Sequence, residues 1–109
     1  MVFKAIWALG NIAGDGVFFR DLIIKEGAKI LIEKTLNAAN FNIFKNGAWA
    51  LSNLCRGKPR PNFDVIKYSI PVFARVLRDS KSEDAEELEI LIDALWALSY
   101  LSSKIYFLK

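Results

Sequence analysis

An all-α repeat array is the fold class this sequence predicts, and three observations carry it. A Trp-Ala-Leu module occurs three times. Each copy lies among apolar residues spaced by three and four, the period of one helix face. No stretch alternates apolar and polar residues as a half-buried strand would. The modules are Trp7-Ala-Leu-Gly-Asn11, Trp49-Ala-Leu-Ser-Asn53 and Trp96-Ala-Leu-Ser-Tyr100, and they use every tryptophan in the chain.

The modules are separated by 42 and 47 positions. Those intervals lie in the ~40–47-residue range of helical armadillo and HEAT repeats. Residues 1–16 read as the last helix of a first unit. Residues 17–58 read as one complete unit: a short helix over 17–25 that stops at Gly27, a second over 28–36, and a long third helix. In that third helix Ile43, Phe44, Ala48, Leu51, Leu54 and Cys55 recur at helical steps. Residues 59–109 read as a further unit with a divergent end. Pro59-Arg-Pro61 breaks the chain, Phe63 to Tyr68 holds a short helix, and Pro71 suits the first turn of another that runs to about Arg78. Asp79 to Ser82 is a polar loop. The row Leu88, Leu91, Leu95, Leu98 and Leu101 then marks a last long helix. The total is about two and a third three-helix units by this count of the sequence. Solenoid units bury their faces against neighbours, and at least about three are normally needed. With no polar cap at either end, the chain reads as a slice of a longer array.

Composition excludes much chemistry. The 109 residues are 53% hydrophobic and 25% charged, the composition of a folding chain. They contain no histidine and a single cysteine. That leaves no histidine-based triad or metal site, no intrachain disulfide and no Cys-x-x-Cys clip. Cys55 lies in an apolar stretch and reads as a buried, inert thiol. An enzyme therefore has no supporting constellation, and no cofactor or metal is implied. The net charge of +3 points weakly towards nucleic acid or an anionic surface. The basic residues are scattered, however, and no nucleic-acid partner is expected. No apolar run approaches the ~18 residues of a membrane span, so no membrane partner is expected either. The apolar start is not read as a leader, because its pattern returns twice downstream. The one dense charge block is acidic: Glu83, Asp84, Glu86, Glu87, Glu89 and Asp93. It reads first as a solvated helix start favoured by the macrodipole, and alternatively as a field facing a basic partner.

The repeated residues have a chemistry of their own. Positions i and i+4 share a helix face, so Trp7 pairs with Asn11 and Trp49 with Asn53. Asn46 precedes Trp49 by one turn, and Asp93 precedes Trp96 in the same way. Stacked helices would align these residues into ladders. An asparagine amide both donates and accepts, and so can grip the backbone of an extended peptide. Helices stacked roughly 8–10 Å apart are matched by two or three residues of extended chain at ~3.3 Å each. Slots between tryptophans fit lysine or arginine stems, and a carboxylate at the slot's end, Asp15 or Asp93, would fix the cation. Tryptophans buried as core are the alternative.

Several segments resemble the importin-alpha family of adaptors for nuclear localisation signals. They are Ala5-Ile-Trp-Ala-Leu-Gly-Asn-Ile-Ala-Gly-Asp-Gly16, Arg20-Asp-Leu-Ile-Ile-Lys-Glu-Gly-Ala28, Trp49-Ala-Leu-Ser-Asn-Leu-Cys-Arg-Gly-Lys-Pro-Arg-Pro61 and Asp93-Ala-Leu-Trp-Ala-Leu-Ser-Tyr-Leu101. The resemblance implies a right-handed superhelical solenoid of armadillo repeats whose third helices line an inner groove. It implies that Trp7, Asn11, Trp49 and Asn53 belong to the major signal-binding site, and that Asp15 pairs with the signal's key lysine. Asn46, Asp93 and Trp96 match further groove positions, and Arg56 a groove-side arginine. The implied partners are proteins carrying lysine- and arginine-rich signals, in cytoplasm and nucleus. Importin-beta is implied for full-length members, though the segment that binds it is not expected in this chain. Lys4 departs from the family by putting a cation one turn before Trp7. The end departs too: Ser102-Ser-Lys-Ile-Tyr-Phe-Leu-Lys109 stands where the family continues Ser-Asp-Gly. A structural scaffold, or a binder of some other extended peptide, is the alternative.

Overall fold

The computed structural model describes the backbone of residues 2–57, 59–81 and 83–108, and their side chains except at 2–4, 6 and 103–108. The Lys4 side chain, position 58 and the side chains of the divergent end from Ser103 lie outside the described residues. Six α-helices follow in order: α1 (Val2–Gly14), α2 (Val17–Leu36), α3 (Phe41–Leu54), α4 (Phe63–Ile66), α5 (Ile70–Asp79) and α6 (Ala85–Leu108). A 3₁₀ turn at Lys67–Ser69 joins α4 to α5. Among the described residues there is no strand.

Local chemistry sets the helix ends. Asn40 caps α3 by accepting from the Ile43 amide at 2.9 Å, and Asn62 caps α4 by accepting from the Asp64 amide at 3.0 Å. Pro71 occupies the first turn of α5, where its missing N–H costs nothing. Asp84 Oδ1 accepts from the amides of Glu86 and Glu87 at 2.9 and 3.2 Å, and the Glu87 carboxylate reaches back to the Lys81 amide at 3.1 Å. Part of the acidic block is thus helix-start chemistry.

The helices form two layers. The long helices α1, α3 and α6 stack in sequence, with α3 between the other two, while α2, α4 and α5 back them. The core is buried between the layers: Phe44, Leu51 and Leu54 of α3 meet Ile24 and Leu31 of α2, Ile66 of α4, and Val72, Phe73 and Val76 of α5. Burying each such side chain contributes about 1.5–3 kcal/mol. Arg20 of α2 is only 1% exposed. Its Nη1 donates to the Arg56 carbonyl at 2.8 Å, and its Nε and Nη2 donate to Asp21 Oδ1 at 2.9 and 2.7 Å. This guanidinium ties α2 to the chain leaving α3.

One sequence expectation is corrected here. The helices expected over 17–25 and 28–36 are one continuous helix, α2. A glycine that ends a helix normally adopts positive φ, but among the described residues only Gly57 does so. Gly27 stays helical because the buried row runs past it on both sides, through Ile23, Ile24, Ala28, Leu31, Ile32 and Thr35. That burial outweighs the ~1 kcal/mol cost of a helical glycine. The leucine row does lie on one long helix, α6, though burial divides it. Leu88 and Leu95 are exposed and Leu91 and Leu98 half-buried, while Ile90, Ala94, Ala97 and Leu101 are buried. Alanines at 94 and 97 let α6 lie close against its neighbours, and of the row Leu88 and Leu95 are left outside while Leu101 is buried.

The α2–α3 contact also depends on a missing side chain. A Cβ on Gly47 would overlap Thr35 Oγ1 and lie 2.6 and 2.8 Å from Thr35 Cγ2 and Cβ. Thr35 is buried and held by its hydroxyl, which donates to the Leu31 carbonyl at 2.7 Å. Gly47→Ala should therefore destabilise the fold by about 1–3 kcal/mol in chemical denaturation, despite alanine's better helix propensity. Thr35→Ala in the same chain removes the Oγ1 and Cγ2 overlaps but keeps Cβ, and should restore part of the loss. Additive losses would show that the two positions do not meet.

Candidate functional site

The stacked helices present one continuous face built from residues at helical steps. On α1 Trp7 and Asn11 share it, with Asp15 just past the helix end. Trp7 is 55% exposed, and Asn11 and Asp15 are exposed as well. On α3 the row is Asn42, Asn46, Trp49 and Asn53. On α6 it is Glu86, Glu89, Asp93, Trp96 and Tyr100. Trp96 is 58% exposed, and its ring stacks on Tyr100 at 6.1 Å between centroids and 27° between planes.

Trp49 is half-buried, because α1 and α3 meet at Gly10. A Cβ on Gly10 would overlap the indole, lying 2.8 Å from its Cε3. One edge of the indole is therefore packing, and the rest faces the groove. Asn53 is more deeply placed than a free ligand arm would be. It is 6% exposed, and its Nδ2 donates to the Gly10 carbonyl at 2.9 Å. This ties α3 to α1 and leaves Oδ1 as the remaining polar atom. Asn46 is half-buried and donates to the Asn42 carbonyl at 2.8 Å. Asn11 and Asn42 are the asparagines of the set that stand outside.

Two cavities lie between α3 and α6. One, of about 410 Å³, is bounded by Asn46 and Trp49 on the α3 side and by Glu86, Glu89 and Asp93 on the other. The second, of about 230 Å³, lies between Asn53 and Arg56 on one side and Asp93, Trp96 and Tyr100 on the other. Asp93 borders both. Partial burial raises its pKa above the ordinary aspartate value. The Arg56 guanidinium opposes that shift, and Glu89 adds to it. Asn42, Glu86, Glu89 and Tyr100 were not individually assigned to the groove from the sequence. The two glutamates entered only as part of the acidic block, alternatively a field facing a basic partner, and Tyr100 as the end of the third module. Their signal was present as spacing, since 86, 89 and 93 follow i, i+3, i+7 and 96 and 100 follow i, i+4.

Cys55, at the end of α3, is buried. Burial pushes its thiol up to about 12, against a smaller opposing pull from the Ser69 hydroxyl 3.9 Å away. No helix among the described residues is long and apolar enough to cross a membrane.

The layered stack and the recurring tryptophan modules define a segment of an armadillo-type repeat array. No family model matches the chain. Over 100 residues, 91% of its length, it is 44% identical to importin subunit alpha-2 and 44% identical to importin subunit alpha-5 of Arabidopsis thaliana. It is 42% identical over the same span to importin subunit alpha-1b of Oryza sativa subsp. japonica. Over the segment it covers, the chain's likeness to these subunits is that of an importin-alpha armadillo fragment. The chain spans 18% of the length of these curated relatives.

The position of Asp93 gives a measurable consequence. Its carboxyl carbon should titrate above the ordinary aspartate range in an NMR pH series, higher still in Arg56→Ala and lower in Glu89→Gln. The folded pKa is raised, so protonation of Asp93 favours the folded state. The stability of wild type relative to Asp93→Asn should therefore increase as pH falls through the raised value towards 3.8. A difference that is flat or falls over that window would contradict this placement.

Proposed function

We propose that the chain contributes part of the groove of a nuclear import adaptor, which holds lysine- and arginine-rich localisation signals in extended form. The observation that carries this reading is the cavity in which the Trp49 indole stands across from Glu86, Glu89 and Asp93. An aliphatic stem lies favourably along an indole, and its cation is drawn to the carboxylates beyond. Trp7 and Trp96 extend the aromatic row to either side. Asn11 and the free Oδ1 of Asn53 would take the peptide backbone, with Asn46 beside them, and Asp15 would take an ammonium next to Trp7. The mechanism is equilibrium binding, without bond chemistry. The same carboxylates disfavour a polyphosphate in the groove, which argues against nucleic acid. By family resemblance, importin-beta would be a second partner of the whole protein, and its working places would be cytoplasm and nucleus.

Trp96 offers the cleanest test, because it is exposed and carries little of the fold. A fluorescein-labelled lysine-rich peptide should bind the full chain. Trp96→Ala should weaken that binding about three- to thirtyfold with little change in melting temperature, the loss expected for one stem–indole contact with its excluded water. Equal affinity for the two chains would remove Trp96 from the site. A labelled oligonucleotide that bound more tightly than the peptide would reverse the choice of partner.

A further inference from the structure

The acidic cavity between α3 and α6 already contains a cation. Lys45 of α3 borders it together with Asn46, Trp49, Glu86, Glu89 and Asp93. The Lys45 side chain is 17% exposed, and its Nζ lies 3.6 Å from Glu86 Oε2. The same ammonium lies 5.6 Å from the centre of the Phe41 ring, one helical turn back on α3. Glu86 is exposed at the start of α6, so the pair bridges two stacked helices at the mouth of the cavity.

A surface ion pair of this kind contributes little to stability, on the order of 0–1 kcal/mol. Its effect on a ligand is a separate matter. It neutralises one of the three carboxylates in the cavity wall. It also sets a positive charge beside the space that an incoming ammonium would enter. The ammonium is held from two sides, by the Phe41 ring and by Glu86, so the charge is kept near the cavity.

We propose that Lys45 is a tethered competitor that sets how basic a ligand side chain must be to occupy this cavity. Resting on the reading that the groove binds basic peptides, this assigns Lys45 and Glu86 a role in selectivity at one position of it. A guanidinium or ammonium aimed at Glu89 and Asp93 enters against the repulsion of Lys45, and a neutral side chain finds the cavity already partly satisfied. Peptides with a neutral residue at this position are therefore penalised less than the carboxylates alone would require.

Titration of the full chain with the labelled lysine-rich peptide at low salt tests this. Lys45→Gln should bind about three- to tenfold more tightly than wild type, the size of effect a unit charge exerts across a partly wet cavity. The gain should shrink as salt is added. Lys45→Arg, which keeps the charge, should stay near wild type. Adding Glu86→Gln to Lys45→Gln should return affinity towards the wild-type value. Lys45→Met, which keeps an unbranched apolar side chain without the charge, is the reading to use if the glutamine variant melts at lower temperature. Unchanged or weaker binding by folded Lys45→Gln or Lys45→Met, with wild type binding normally, overturns the role of Lys45 alone. A wild-type chain that does not bind the peptide overturns both this role and the groove reading beneath it.

Discussion

Much of this structure depends on how closely α3 can approach its neighbours. On one side Gly47 lets α3 lie against Thr35 of α2, and on the other Gly10 of α1 receives the edge of the Trp49 indole. A methyl group at either position would meet heavy atoms well inside contact distance. With the helices that near, the Asn53 amide can reach the Gly10 carbonyl, and the Trp49 ring is fixed in one orientation at the groove floor. Packing of this density leaves little slack, so the spacing of the groove follows from two absent side chains.

The groove divides its residues between two tasks. Trp49 and Asn53 work partly as ties between helices, and what they leave facing outward is one indole face and one amide oxygen. Trp7, Asn11, Asp15 and Trp96 are exposed and carry little packing. As the proposed binding surface, this face separates rigidity from contact. The half-buried residues hold the frame, and the exposed ones meet whatever lies in it. The acidic block is divided in the same manner. Asp84 and Glu87 satisfy amides at the start of α6, while Glu86, Glu89 and Asp93 turn towards Trp49.

The sequence revealed some of this, and the reasons for success and failure are physical. The three modules were legible because identical residues recur at one interval, and the breaks at Pro59–Pro61 and Pro71 were legible because proline restricts the backbone locally. Gly27 misled because a glycine's preference for helix ends is weak beside the apolar row that continues past it. The leucine row of α6 marked a helix correctly, but periodicity does not show which apolar face is buried. The small side chains of Ala94 and Ala97 decided that. The offsets of the tryptophans, asparagines and aspartates put them on one face of the stack. Glu86, Glu89 and Tyr100 obey the same offsets, but a run of charge or a motif's last letter drew attention from their spacing. The bond from Asn53 to Gly10 joins residues 43 positions apart and depends on three-dimensional packing that no local pattern encodes.

The thiol of Cys55 lies beneath Ser69, where the end of α3 meets the 3₁₀ turn before α5. Its high pKa and its burial both keep it from alkylating reagents while these segments stay together. Because no other cysteine exists in the chain, any labelling reports this one junction. The molecule thus carries its own clock for opening of the stack: the rate at which a thiol reagent attaches measures how often the inner and outer layers part.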